Sequence, residues 1–158
     1  MVVRLHGGCQ HRHRGPARLI LVWLCLYRRV RSPILRPVIE SATIADVQAQ
    51  IDAYNARDLD KIVTYYSPDG VVRDAAEGRF SVRGLKEIRS LFDSVFAANP
   101  DLHADTPAIF GVGEWVAAHV AVADFRSGNE GPRARRWLEV YRVVGGLIHE
   151  LNIYSASG

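Results

Sequence analysis

Residues 139–154, EVYRVVGGLIHELNIY, consist of two apolar runs joined by Gly145-Gly146. Adjacent glycines accept the positive φ of a two-residue turn, and the β-branched and aromatic residues on either side suit paired strands, so the stretch reads as a hairpin. Further back, 135–144, 115–126 and 103–110 are runs of the same kind, punctuated by Ser127-Gly128-Asn129 and Gly111-Val112-Gly113. Everything beyond Pro100 therefore reads as strand.

Upstream the period changes. Thr43, with Asp46 three residues on, resembles a capping box ahead of Ile44, Val47, Ile51 and Tyr54, which predicts a helix starting at Thr43. Asp58 is placed to cap a second, short helix over 59–66, Pro68-Asp69-Gly70 reads as a turn, and 70–74 as a short strand. Leu85, Ile88, Leu91, Phe92, Val95 and Phe96 then recur at helical spacing until Asn99-Pro100 ends the helix. Three helices followed by antiparallel strands predict an α+β fold, with the helices on one face of a curved sheet. A length of 158 residues fits one such domain over 41–158. No repeat, phosphate loop or dinucleotide fingerprint is present, since Gly111-Val112-Gly113 lacks both a third glycine and a following helix.

The formal charge of +3 is unevenly spread. Residues 1–40 hold eight arginines against Glu40 alone, a net of +7, whereas the remainder carries 12 Lys/Arg against 16 Asp/Glu, a net of −4. A phosphate-binding surface needs cations on the folded face. The densest cluster there, Arg133, Arg135 and Arg136, sits beside a Gly/Pro turn and reads as a solvated loop, so no nucleic-acid partner is expected. Cys9 and Cys25 both lie in the basic extension, leaving the domain without a disulfide, a thiolate zinc site or a cysteine nucleophile, which suits a reducing, cytoplasmic location.

The extension, 1–40, contains one apolar run, LILVWLCLY at 19–27, flanked by arginines. Nine residues are too few for a membrane-spanning helix. They match the length of a signal-peptide core, but Arg28, Arg29 and Arg31 follow where a small-x-small cleavage site belongs. A disordered arm and a translation start further downstream are the plainer readings. His6, His11 and His13 have no carboxylate or thiolate companion and make a poor specific metal site.

The phrases YNARDLDKIVTYYSPDGVVRD at 54–74, GLKEIRSLF at 84–92 and the closing hairpin, in this order, resemble the nuclear transport factor 2-like superfamily of ketosteroid isomerases and SnoaL-like cyclases. That resemblance implies a cone-shaped antiparallel sheet with three helices on one face enclosing a pocket. It also implies a homodimer formed through the open sheet face. It does not fix an activity, because the fold serves isomerases, cyclases, dehydratases, epoxide hydrolases and domains without chemistry.

By the resemblance, Asp74 stands where ketosteroid isomerases keep their general base, and Glu139 where they keep a protonated acid, there an Asp. Tyr66 matches a supporting tyrosine. Gln50 replaces the principal oxyanion tyrosine, Tyr54 lies one turn further along, and Phe92 replaces another tyrosine. Epoxide hydrolases of this fold need an acid about where Ile153 stands, which argues against that chemistry. From the residues themselves, Glu139 alternates with Trp137, Tyr141 and Val143, and an inward face would desolvate its carboxyl and raise its pKa.

His119 shares a strand face with Ala117, Ala121 and Ala123, expected on the cavity side, and His149 alternates with Leu147, Leu151 and Ile153. The two are expected to face the same way as acid–base partners. With His103 they are too dispersed to suggest a metal triad. The expected site thus takes Asp74 as base, with Glu139, Tyr66, His119 or His149 polarising a carbonyl. Tyr54, Phe96, Trp115, Trp137, Tyr141 and Leu151 would hold a hydrophobic, steroid-like or polyketide-like molecule, with no cofactor. A non-catalytic binding or dimerisation module is the rival reading.

Overall fold

The computed structural model describes residues 36–126 and 131–155. The apolar run at 19–27, both cysteines, the three N-terminal histidines and the turn at 127–129 lie outside the described residues. Helix α1 (Arg36–Asn55) is followed by α2 (Leu59–Thr64), β1 (Tyr66–Asp74), β2 (Ser81–Arg83), α3 (Leu85–Ala98) and the strands β3 (Asp105–Val112), β4 (Trp115–Phe125), β5 (Arg133–Val144) and β6 (Leu147–Ser155). No helix among the described residues is long and apolar enough to cross a membrane.

α1 begins upstream of the expected cap. Pro37 falls in its first turn, where a missing N–H is harmless, and Thr43 is buried within the helix instead of ending it. The α1–α2 corner is set by Arg57, which adopts φ 59° and donates to the carbonyls of Phe96 (2.7 Å), Asn99 (2.9 Å) and Pro100 (2.8 Å). Those carbonyls lie at and just beyond the C-terminal end of α3, so one side chain ties the α1–α2 corner to that helix end. Asp58 caps α2 by accepting from the Lys61 N–H at 2.9 Å.

The six strands form one curved sheet in the order β2-β1-β6-β5-β4-β3. It departs from the antiparallel expectation at one pair: β1 runs parallel to β6, because the α3 excursion intervenes and the two strands enter the sheet from the same end. β1 also starts earlier than the sequence suggested. Pro68-Asp69-Gly70 is an irregularity inside the strand, with Pro68 and Asp69 exposed and Gly70 buried, where pairing to β6 shifts between Tyr66 and Val71. Gly70 is required there, since a Cβ would meet the Ser67 carbonyl at 3.0 Å and the Ile148 carbonyl at 3.2 Å. β2, three residues paired to β1, is too short to show a period in the sequence. The closing hairpin forms as expected, with Val144 opposite Leu147 and positive φ at Gly145 (59°) and Gly146 (80°).

One sheet face is covered. α1 packs on β3 and β4 and α3 on β1 and β2. Val116, Ala118, Val120 and Val122 of β4, Tyr141 and Val143 of β5, and Ile88, Phe92 and Phe96 of α3 are buried between them. Burial of each large apolar side chain contributes about 1.5–3 kcal/mol. The opposite face is open.

Candidate active site

A cavity of about 280 Å³ lies between α1, α3 and the covered sheet face. Its wall is mainly apolar: Ile51 and Tyr54 of α1, Leu91, Phe92 and Val95 of α3, Phe80, Ala104, Val120, Phe125, Trp137, Leu151 and Ile153. The polar residues of the lining are Gln50, Arg79, Glu139, Tyr141 and Ser155, to which Tyr54 adds its hydroxyl and Trp137 its indole N–H. Three rows of paired residues, Trp137–Ser155, Glu139–Ile153 and Tyr141–Leu151, carry β5 and β6 inward from the rim. Successive rows are about 7 Å apart. Arg79 and Ser155 are therefore at the outer end, and buried Tyr141 and Gln50 at the inner one.

The Glu139 carboxyl holds the middle row. Trp137 Nε1 donates to its Oε1 at 2.8 Å and the Tyr141 hydroxyl bonds its Oε2 very closely. Burial raises the Glu139 pKa above the usual carboxylate range, against the opposing pull of the Trp137 and Tyr141 hydrogen bonds. The Tyr141 hydroxyl also lies 3.4 Å from Gln50 Oε1. With Glu139 ionised the single Tyr141 hydrogen goes to its carboxylate; once protonated, Glu139 can donate to Tyr141, whose own hydrogen then passes to Gln50 Oε1, so the chain is complete only with Glu139 protonated. Burial first, then the Glu139 charge, raises the phenol pKa of Tyr54, Tyr66 and Tyr141, keeping all three neutral.

Of the expected site residues, Tyr54, Trp137, Glu139, Tyr141 and Leu151 line the cavity. Phe96 is one layer back, its ring 5.0 Å from that of Tyr54. Tyr66 is also behind the wall, its ring tilted against that of Phe92 at 6.1 Å, with a buried hydroxyl that has no hydrogen-bond partner among the described residues.

Asp74 differs from the expected general base. It shares a row with Ile153 and Glu139, so its backbone lies about 9.5 Å from that of Glu139, two strand spacings away. Its carboxyl is not part of the cavity wall. It accepts from the backbone N–H of Ala76 (3.1 Å), Glu77 (3.2 Å) and Arg79 (3.4 Å) and from Arg79 Nε (2.6 Å). Arg79 above all, helped by those N–H groups, holds its pKa below the usual range, which makes it a poor proton acceptor.

Three placements correct the sequence reading. His119 pairs with Ala108 and Leu138 on the open sheet face, because the alternate set Val116, Ala118, Val120 and Val122 is the one the helices cover. Period-2 alternation shows that two faces differ, and a displacement of one residue exchanges them. Trp115, paired with Val112 and Arg142, is on the same open face at 44% exposure. His149 occupies the register shift between Arg142–Glu150 and Val143–Ile148. The His119 row reaches β6 at Tyr154, about 16 Å along the strand from His149, so the two histidines are not partners.

Arg79, Phe80, Phe125 and Ser155 were missed. Arg79 and Phe80 sit in a loop without periodicity, and Ser155 looks like a frayed strand end. Gln50 did leave a signal, a polar residue within the stripe Val47, Ile51, Tyr54. Among the described residues no cluster of His, Cys, Asp or Glu could hold a metal.

The fold recurs in solved structures. An uncharacterised cystatin-fold protein from Novosphingobium aromaticivorans superposes with a TM-score of 0.62 at 25% identity, over 70% of this chain and 96% of that one. A Catenulispora acidiphila protein with a ketosteroid isomerase-like fold, in complex with trimethylamine, gives 0.61 at 19% identity, over 70% and 85%. An LEH-like epoxide hydrolase from M. tuberculosis gives 0.61 at 18% identity, over 74% and 84%. The last two likenesses show shared architecture alone. No curated protein matches the chain in sequence. The sequence pattern of the SnoaL-like domain matches residues 47–151, through helices, sheet and cavity alike, and the chain therefore belongs to the SnoaL-like domain family.

Proposed function

We propose that the cavity binds a small, mainly apolar carbonyl compound and that the chain moves a proton on it, as an isomerase or cyclase, with Glu139 as the acid–base group. The observation that carries this reading is the Glu139 carboxyl itself, set in an apolar cavity, raised in pKa by burial and oriented by Trp137 and Tyr141. A carboxyl whose pKa is raised by burial can both take a proton from carbon beside a carbonyl and return it elsewhere. The Gln50 amide and the Tyr54 hydroxyl line the same cavity and are donors available to the oxygen that gains charge. Asp74 acts on this site through Arg79.

The test is turnover of a β,γ-unsaturated ketone, followed by the absorbance of its conjugated product. Glu139→Gln should lower the rate about 10²–10⁴-fold, the usual worth of a positioned acid or base. Undiminished turnover in that variant, or none by the wild type across a panel of cyclic and aryl ketones, would defeat the reading. A non-catalytic binding module is favoured by one observation, the saturated state of Asp74. It would show equal ligand affinity in wild type and Glu139→Gln without turnover in either.

Homodimerisation through the open sheet face is also proposed. The register places Phe110, Val112, Trp115, Leu138 and Tyr154, the exposed large apolar residues, on that one face. A contiguous apolar surface of this kind is usual at interfaces and unusual on a monomer.

A further inference from the structure

The outer end of the cavity carries a cation that the proton chemistry does not use. From its geometry we infer that the ligand is an anion, a small apolar keto acid or enol acid. Its carboxylate docks on Arg79 and Ser155, and its carbonyl lies toward Glu139. This deepens the reading above and rests on it.

Arg79 lines the cavity with a half-exposed side chain, yet its guanidinium is fixed on two sides. Nε donates to Asp74 at 2.6 Å and Nη2 to Ser155 Oγ at 2.7 Å. Nη1 has no protein partner among the described residues. A planar fork held in this way has already lost the side-chain freedom that ordering by a ligand would cost, and its open edge matches a carboxylate. Asp74 and Glu77, the latter 3.4 Å from Nε, both face the Nε side. These three groups sum to a formal charge of −1, so the anion is held by directed hydrogen bonds from the Nη edge, on the side of the guanidinium away from both carboxylates.

The rest of the cavity fixes the orientation. Ser155 is opposite Trp137, one row out from Glu139, so the docked acid and the Glu139 carboxyl are about 7 Å apart, room for a ring or a short chain. The inner end would reject an anion, because a second negative charge beside half-buried Glu139 in an apolar cavity is costly. Only the acid-outward pose satisfies both ends, and the apolar wall between them accepts the hydrocarbon body.

Calorimetric titration of the full chain with benzoylpropanoate, an aryl keto acid, and with its uncharged methyl ester tests this. Wild type should bind the acid about tenfold more tightly than the ester, the worth of one charge-assisted hydrogen bond. Arg79→Gln should abolish the preference while still binding the ester. Arg79→Lys, which keeps the charge beside Asp74 but loses the fork, should fall between, and it serves the same purpose if Arg79→Gln does not fold. Equal affinity for acid and ester in wild type, or a preference that survives in either variant undiminished, overturns the anionic class alone and leaves the cavity's proton chemistry standing. Failure of both compounds to bind overturns this inference and the parent reading together.

Discussion

Arg79 Nε donates to the Asp74 carboxylate at 2.6 Å, and through this contact a buried acid at the end of β1 holds a half-exposed cation at the mouth of the cavity. The pair exchanges the roles that the sequence suggested. Asp74 looked like the reacting group, but its lone pairs are committed to the 76–79 turn, and the residue it presents to the cavity is Arg79.

Asp74→Asn should therefore act on stability. Loss of the charge-assisted bonds is expected to cost about 1–3 kcal/mol in urea unfolding. Because the folded-state pKa lies below the ordinary 3.8, the wild type's advantage should be complete above about pH 4 and disappear as pH falls through the depressed value. An advantage that did not change with acidification would contradict this assignment.

Glu139 should give the opposite dependence. Its pKa is raised from 4.5 by burial, so the stability due to the protonated carboxyl is full below about pH 4.5 and is lost as pH rises through the raised value. Melting temperatures of wild type and Glu139→Gln, compared from pH 4 upward, should diverge, with wild type losing ground. Parallel curves would mean that Glu139 is solvated.

Tyr66→Phe removes a buried hydroxyl that has no partner among the described residues. The variant should be unchanged or up to roughly 1 kcal/mol more stable, since nothing made is broken and a desolvated group is relieved. A loss of more than that, measured by denaturation, would show a hydrogen bond to the hydroxyl.

Leu138→Glu places a charge in the middle of the open sheet face, opposite His119 and Tyr154. In sedimentation the wild type should run as a dimer and this variant as a monomer, with little change in cavity binding, because Leu138 points away from the cavity. A monomeric wild type would refute the proposed interface.

The sequence made the order of elements legible because that information is local. The stripe Ile88, Phe92, Phe96 marks α3, the doubled glycine fixes the last hairpin, and Asp58 caps α2 where expected. Local patterns also explain the errors. Thr43 has the chemistry of a cap, but the helix continues upstream of it, and Pro68-Asp69-Gly70 has the chemistry of a turn, yet neighbouring β6 draws it into a strand.

What the sequence determined by itself was the α+β architecture, the uneven charge and the presence of two carboxyls at corresponding strand positions. Only the tertiary structure decided which strand face the helices would cover. That choice is non-local, set by packing of α1 and α3 against residues far along the chain, and it sent His119 and Trp115 outward while leaving Glu139 within. It also decided the state of the two acids. Asp74 meets three turn N–H groups and a guanidinium, and Glu139 meets an apolar wall, so identical functional groups were driven to opposite sides of their ordinary pKa.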